Sequence, residues 1–222
     1  MEKIDLEIQN YIEKNILPQY SNFDKAHNEK HIKAVQERSL KILEYLKRKD
    51  ININMVYVIA SYHDIGCKVS RKGHPIYSGE ILRNDENLKK WFNEKQIEIM
   101  AQACEDHSTS SGHNPRSIYG EIVADADKDL NMDLFLIRGW QYSLHYSPNM
   151  TYEEHLTDLH NEIIKRFGTQ NEGGENLAKF YIKTDENQKF LKAVKEYVKS
   201  REKLAKTMEI ILGEKDKNED NI

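Results

Sequence analysis

The chain has few residues that interrupt helices, few cysteines and no long apolar run. Its 222 residues include only 4 prolines and 10 glycines, which favours long helices over many short strands. Its 2 cysteines, Cys67 and Cys104, are too few for a disulfide scaffold, so we expect a reducing compartment. The opening MEKIDLEIQNYIEKN is too charged for a signal peptide, and no apolar run approaches the roughly 18 residues of a membrane span. We therefore expect a cytoplasmic protein without a membrane partner.

Positive charge is not in excess either. The 33 Lys and Arg residues against 37 Asp and Glu residues give a formal net charge of −4 at pH 7. Because the chain has no broad excess of positive charge that could bind the phosphates of a duplex, we do not expect duplex nucleic acid as a partner. Charged residues make up 32% of the chain, but the apolar residues recur periodically, which is typical of a folded protein.

The spacing of the apolar residues predicts an all-α fold. The run MVYVIASY at 55–62 is apolar all round and should be the most buried helix. We predict one domain over residues 1–212 and a charged flexible tail at 213–222. The predicted helices cover residues 4–16, 30–48, 55–62, 75–84, 95–106, 116–131, 151–167 and 186–212.

The last predicted helix carries an apolar stripe. Such a stripe usually faces the core of its own domain, and a contact between subunits of a homo-oligomer is the alternative. Its members are Phe190, Val194, Tyr197, Leu204, Met208 and Ile211.

Histidines and carboxylates carry the chemical information. His31, the adjacent pair His63 and Asp64, and an acidic run at 125–129 stand out among the 9 histidines and their neighbours. Imidazole and carboxylate together suit divalent ions such as Mn²⁺, Fe²⁺, Co²⁺, Ni²⁺ and Zn²⁺. The pair ends the most apolar helix, where desolvated ionisable groups need a partner, and a metal ion would be one. A histidine at the helix dipole beside a solvated Asp64 is the alternative. The following Gly66 would let the helix end.

In order and spacing, these motifs resemble the HD-domain superfamily of metal-dependent phosphohydrolases. The segments AHNEKHIKAV, VIASYHDIG and YGEIVADADKDL supply a His on a helix, a His-Asp pair ending a buried helix, and a distant Asp. The resemblance covers about residues 24–132 and is closest to small bacterial uncharacterised HD hydrolases, through EDHS and PRSIYGEIVADAD. It implies a single HD-domain helical bundle with additional C-terminal helices over 133–212.

The resemblance also implies a ligand set for a divalent ion, which would be Mn, Fe, Co, Ni, Mg or Zn. His31, His63, Asp64 and Asp127 match the positions of the family's ligands. The last one is ambiguous, because Asp125 and Asp127 lie about 200° apart around a helix and cannot both reach one ion. We prefer Asp127, which follows an alanine as in the family, and keep Asp125 in reserve.

Two further histidines fall between the His-Asp pair and the last aspartate. Some HD proteins bind a second ion with histidines in this interval, and His74 and His107 are the residues here. We expect one tightly held ion and a weaker second site, so one or two ions per chain. Contact of these histidines with the substrate is the alternative.

A phosphate substrate needs positive charge beside the ion. Lys68 and Arg71 follow the pair, and Arg116 opens the helix of the last aspartate. Each is a candidate for substrate binding, with a solvated surface charge as the alternative. His27, one turn before His31, is a further candidate. Cys67 adjoins the pair, but no pattern supports a catalytic thiol there.

The function implied by the resemblance is hydrolysis of a nucleotide or another small phosphate ester or anhydride. A metal-activated water would attack phosphorus, with His63 and Asp64 as the catalytic pair and Asp64 handling the proton. Two alternatives stay open. One is a di-iron oxygenase on the same fold, in which His74 and His107 would hold the second iron. The other is a non-catalytic module that binds a metal or ligand.

Overall fold

Helices are the only regular secondary structure in the described part of the chain. The computed structural model describes residues 3–21, 23, 28–108, 114–128, 131–167 and 185–219. Within these ranges there are ten α-helices and no strand, which confirms the all-α prediction. They are α1 (Leu6–Tyr11), α2 (Glu29–Leu46), α3 (Ile53–Tyr62), α4 (His74–Arg83), α5 (Glu94–Asp106), α6 (Ile118–Asp127), α7 (Met132–Tyr146), α8 (Tyr152–Phe167), α9 (Asp185–Lys199) and α10 (Arg201–Glu219).

Short segments of other helix types continue or connect these helices. A π-helical turn at Ile12–Ile16 and a 3₁₀ turn at Leu17–Tyr20 follow α1 directly. Two more 3₁₀ segments, Ile65–Lys68 and Glu86–Lys90, lie on either side of α4. The segment Ile65–Lys68 directly follows the His-Asp pair.

The helices group into two compact units. The first contains α1 to α6 and ends at Lys128, and the second contains α7 to α10. The organisation of residues 1–212 as one domain, followed by a tail at 213–222, stays a prediction.

In the first unit, α3 lies at the centre. All of its residues except Asn54 are buried, and α2, α5 and α6 pack around it. The helix begins where the Asn52 side chain accepts hydrogen bonds from the backbone N–H groups of Asn54 and Met55. Because α3 is buried along its length, the residues that follow it, His63 and Asp64, enter the interior of the unit.

The second unit has its own apolar core. Five members of the stripe predicted on the last helix are buried there, and Ile211 packs against them, as expected for a helix that faces its own core. The core contains Met132, Leu136, Trp140, Leu156, Leu159, Ile163, Phe190, Val194, Tyr197, Leu204 and Met208.

Two predicted helices are wrong in their bounds, and one helix of the structure is absent from the prediction. The helix predicted for 116–131 ends at Asp127, because the backbone of Lys128 is extended. No helix was predicted between 132 and 150, where α7 lies. The helix predicted for 186–212 is interrupted at Ser200, whose hydroxyl accepts a hydrogen bond from the N–H of Lys203 at 3.3 Å as an N-cap does. The second part, α10, continues to Glu219.

No helix within the described ranges combines the length and the apolar character needed to cross a bilayer.

Candidate metal centre

The predicted ligands lie at the ends of helices. His31 is in the first turn of α2, and its N–H donates to the capping Asn28 side chain at 3.1 Å. His63 and Asp64 follow the last residue of α3, and Asp127 is the last residue of α6. Helix ends therefore bring together residues that are as much as 96 positions apart in the sequence (127 − 31).

Four side chains form a tight group. Nε2 of His31 lies 3.3 Å from Nε2 of His63, 3.3 Å from Oδ2 of Asp64 and 3.1 Å from Oδ1 of Asp127. Nε2 of His63 lies 3.3 Å from Oδ2 of Asp64 and 3.6 Å from Oδ1 of Asp127. One donor atom from each residue lies within 4.8 Å of all the others, a spacing at which all four could hold one ion.

The other oxygen of Asp64 faces a second pair of histidines. Oδ1 lies 3.1 Å from Nε2 of His74 and 3.4 Å from Nε2 of His107, and these two nitrogens are 3.2 Å apart. His74 is the first residue of α4, and His107 follows α5. The single carboxylate of Asp64 thus lies between two histidine pairs, one at each oxygen.

Backbone carbonyls fix the orientation of three imidazoles. Nδ1 of His63 lies 2.9 Å from the carbonyl oxygen of Ala60, and Nδ1 of His74 lies 2.9 Å from that of Arg71. Nδ1 of His107 is 2.6 Å from the carbonyl oxygen of Cys104. Because a carbonyl only accepts, each Nδ1 carries a proton, and in a neutral ring the Nε2 lone pair is left for the cluster.

This orientation fits a metal ion. Neutral rings of His74 and His107, whose Nε2 atoms lie 3.2 Å apart, would direct lone pairs at each other unless a cation lies between them. Hydrogen bonding of Nδ1 to a carbonyl is also the usual support of a metal-binding histidine. The donor set, nitrogen and carboxylate oxygen, suits Mn²⁺, Fe²⁺, Co²⁺, Ni²⁺ or Zn²⁺.

The electrostatics of the cluster also favour a cation. Burial by itself lowers the pKa of His63, but Asp64 and Asp127 outweigh it and raise this pKa to about 10. Burial raises the pKa of Asp64, yet the neighbouring histidines, His63 foremost, hold it far below its ordinary value. The pKa of Asp127 is likewise lowered by His31 and His63 against the effect of burial. The two carboxylates therefore hold positive charge at this position, as protons or as a metal ion.

Gly66 permits the second histidine pair to approach. The sequence suggested a helix end at this glycine, but α3 ends earlier, and Gly66 lies in the 3₁₀ segment that follows. A Cβ atom on Gly66 would be 2.1 Å from the carbonyl oxygen of His74, and its N–H donates to the Ser78 hydroxyl at 2.9 Å. The glycine is thus required for close contact with the start of α4.

Of the two alternative last ligands, Asp127 joins the group of four. Asp125 lies outside that group and is buried, with an oxygen 3.4 Å from Nζ of Lys128. The geometry therefore supports Asp127, the preferred of the two.

The candidate substrate residues lie in varied surroundings. Lys68 is exposed, and its Nζ donates to the Gln19 side chain at 2.9 Å. The guanidinium of Arg116 is engaged by Asp106 at 2.8 Å and by Glu105 at 2.5 Å.

Two other candidates have a different status. Arg71 is exposed and contributes its carbonyl to His74, while His27 lies outside the described residues. The substrate roles of all four stay predictions.

A comparison with protein families agrees with this geometry. The family model "HD domain" matches residues 28–132. Over these residues the chain is similar to HD domains. HD domains are all-α and bind divalent metals, and the match supports a metal-dependent hydrolase at the level of the family. The match includes every described residue of the cluster, from His31 to Asp127.

Among solved structures, a predicted HD superfamily hydrolase from an uncultured Thermotogales bacterium is similar to this chain. The identity is 19%, the TM-score is 0.44, and the match covers 72% of this chain and 89% of that one. No curated protein matches the chain.

Cys67 lies near the cluster, although the sequence alone assigns it no function. A donor atom of Cys67 lies within 4.8 Å of donor atoms of both Asp64 and His74. The sequence shows only that Cys67 comes three residues after Asp64. The 3₁₀ segment that brings the two residues together is seen only in the structure.

Proposed function

We propose that this chain is a divalent-metal-dependent phosphohydrolase that acts on a nucleotide or another small phosphate ester or anhydride. The observation that carries the proposal is the carboxylate of Asp64, with His31 and His63 at one oxygen and His74 and His107 at the other. The phosphate substrate class is inferred from the similarity to the HD superfamily.

The residues that would hold an ion are His31, His63, Asp64 and Asp127, with His74 and His107 beside Oδ1 of Asp64. When bound, a divalent ion supplies an activated water, by lowering the pKa of the water to about 7, and positive charge for the phosphoryl oxygens. The carbonyl of Ala60 keeps His63 in the orientation that ligation needs.

Asp64 is the best placed group for proton transfer. It is buried and lies within 3.4 Å of a nitrogen of each of four histidines, so its position is tightly determined. A carboxylate fixed in this way can accept a proton from the attacking water at low cost of reorganisation. His63 supports this role through its position on the Oδ2 side of Asp64.

Substrate would reach the cluster from the side that is open to solvent. The side chains of His31, His74 and Asp127 are 18%, 16% and 30% exposed, whereas His63 is fully buried. Lys68 and Arg71 lie in the exposed stretch before His74 and would add positive charge for the substrate's phosphate.

A screen of phosphorylated metabolites tests the proposal. Metal-stripped protein is supplied with Mn²⁺, Mg²⁺, Co²⁺ or Ni²⁺, and release of phosphate or pyrophosphate is measured. Asp64→Asn, which keeps the size of the side chain, is the control. We expect metal-dependent release by the wild type and none by the variant. Absence of release from every compound with every ion would contradict the proposal.

A di-iron oxygenase is the second candidate, because the histidine pair at Oδ1 of Asp64 supplies donors for a second ion. Iron content and oxygen consumption separate the two functions. Iron at two equivalents per chain with oxygen-dependent turnover would favour the oxygenase, and hydrolysis under anaerobic conditions would favour the phosphohydrolase.

A further inference from the structure

Cys67 lies beside Asp64 and His74. One donor atom each of Asp64, Cys67 and His74 lie within 4.8 Å of one another. Ligands bound to one ion at about 2.0–2.3 Å lie at most roughly 4.6 Å apart, so this spacing suits a shared ion. We propose that Cys67 is a thiolate ligand at this second position, which therefore prefers Zn²⁺, Fe²⁺ or Co²⁺ to Mg²⁺ and Mn²⁺. The inference rests on the proposed function for the existence of a metal site.

The local fold explains why Cys67 is there. Asp64 directly precedes the 3₁₀ segment Ile65–Lys68, and the N–H of Cys67 donates to the carbonyl oxygen of Asp64 at 3.0 Å. In a 3₁₀ helix, side chains three residues apart lie over one another. Cys67 is thus held on the same side of the turn as Asp64. The close approach at Gly66 then brings the start of α4, with His74, to both.

His107 supplies a further nitrogen on the Oδ1 side of Asp64. The residue is 3% exposed, and its Nδ1 proton is committed to the carbonyl of Cys104. Its Nε2 lies 3.4 Å from Oδ1 of Asp64 and 3.2 Å from Nε2 of His74. His74 and His107 therefore both place a nitrogen at Oδ1 of Asp64.

A sulfur donor changes which ions the second position accepts. Thiolate selects zinc and iron, whereas carboxylate and water suit magnesium and manganese. The group of His31, His63, Asp64 and Asp127 has nitrogen and oxygen donors alone, so it accepts manganese. On binding, the Cys67 S–H bond is lost, the proton goes to solvent, and a sulfur–metal bond forms. The two positions then differ in ion preference.

Cobalt spectroscopy on the metal-stripped full chain tests the assignment. Co²⁺ bound to a thiolate gives a sulfur-to-cobalt charge-transfer band in the near ultraviolet, which nitrogen and oxygen ligands do not give. We expect the band in the wild type and in Cys104→Ala, and no band in Cys67→Ser. Cys104 is the matched control because it is the other cysteine of the chain and is buried in the core.

Two further measurements accompany the spectrum. Zn²⁺ affinity at the weaker position should fall by at least about tenfold in Cys67→Ser, while Mn²⁺ affinity at the other position stays unchanged. Zn²⁺, but not Mg²⁺, should also protect Cys67 of the wild type from alkylation by iodoacetamide, as read by mass spectrometry. Circular dichroism of each variant confirms that the helices are retained.

Retention of the band in Cys67→Ser, or its absence from wild type that binds two Co²⁺ per chain, would overturn the assignment of Cys67. Hydrolysis by wild type with Mn²⁺ and no cobalt–sulfur band would overturn this assignment alone. A cobalt–sulfur band in a protein that hydrolyses no phosphate compound would support the ligand and overturn the proposed function.

Discussion

Oδ1 of Asp64 lies 3.1 Å from Nε2 of His74, while the Oδ2 oxygen of the same carboxylate faces His31 and His63. The sequence does not show that the two oxygens of Asp64 have different neighbours, and from it we expect one tightly held ion and a weaker second site. The structure offers donors on both sides of Asp64. The number of ions per chain is therefore the first quantity to measure.

We predict two ions per chain in protein purified without chelator. His74→Ala and His107→Ala should each lower the count towards one, because each removes a nitrogen from the Oδ1 side and leaves the Oδ2 side intact. Elemental analysis against protein concentration gives the count. One ion in the wild type and in both variants would leave these histidines as substrate groups.

Asp125 and Asp127 form a matched pair for a second prediction. Asp127→Asn should lower metal affinity by at least about tenfold and abolish hydrolysis, because Asp127 lies 3.1 Å from His31 in the group of four. Asp125→Asn should keep both properties, since Asp125 pairs instead with Lys128. Isothermal titration with Mn²⁺ compares the two, and the opposite ranking would make Asp125 the ligand.

Gly66→Ala should destabilise the protein. The added Cβ would meet the His74 carbonyl at 2.1 Å, and backbone cannot move aside as a flexible side chain can. Overpacking of this kind costs about 1–3 kcal/mol, measured as the free energy of unfolding in urea. The second ion should be lost as well, because His74 would be displaced.

Gly213→Ala is the control for this substitution. No atom lies within 4 Å of a Cβ placed there, and the residue is exposed in α10. Alanine in a helix should stabilise by about 0.4–1 kcal/mol. Equal effects of the two substitutions would contradict the account of Gly66.

A carboxylate away from the cluster should control part of the acid stability. Tyr11 and Tyr62 both donate hydroxyl hydrogen bonds to Asp85. Burial raises the pKa of Asp85, but these hydrogen bonds outweigh it and lower the pKa below its ordinary value of 3.8. A group whose pKa is lower in the folded state contributes stability above its unfolded pKa. That stability is lost as the pH falls through the folded pKa.

Urea unfolding between pH 7 and pH 2.5 tests this prediction with Asp85→Asn. At pH 7 the variant should be less stable by about 1–2 kcal/mol, because hydrogen bonds to a charged acceptor are replaced by bonds to a neutral one. The difference should shrink as the pH falls below 3.8, the ordinary pKa of Asp85. A difference that is independent of pH would contradict the assignment.

The sequence predicts the helices that have a one-sided or fully apolar pattern, and fails where packing decides. In α7, apolar residues surround the helix and Gly139 interrupts it, so periodicity gives no signal. A Cβ at Gly139 would lie 2.7 Å from Cδ1 of Leu159 in α8, so that leucine would have to shift if the glycine were replaced. The break at Ser200 has a local signal, the N-cap hydroxyl, but an uninterrupted stripe of apolar residues conceals it.

In the candidate site, the residues of the sequence motif were predictable, whereas residues placed by packing were not. The motif predicts His31, His63 and Asp64 as ligands, and the structure places them in one group with Asp127. The place of Cys67 was not predictable, because it depends on a 3₁₀ turn and on the approach of α4 at Gly66. Arg116 was a candidate for substrate binding from its sequence position alone, yet its guanidinium pairs with Asp106.

The most direct test of the central claim is the metal content and phosphatase activity of Asp64→Asn. The substitution keeps the shape of the side chain and removes the charge that lies between the two histidine pairs. We predict that bound metal falls sharply and that hydrolysis of the best phosphate substrate falls by at least about 100-fold, with the helical circular dichroism spectrum unchanged. Normal metal content and near-normal turnover in the folded variant would contradict the claim that Asp64 is the centre of a hydrolytic metal site.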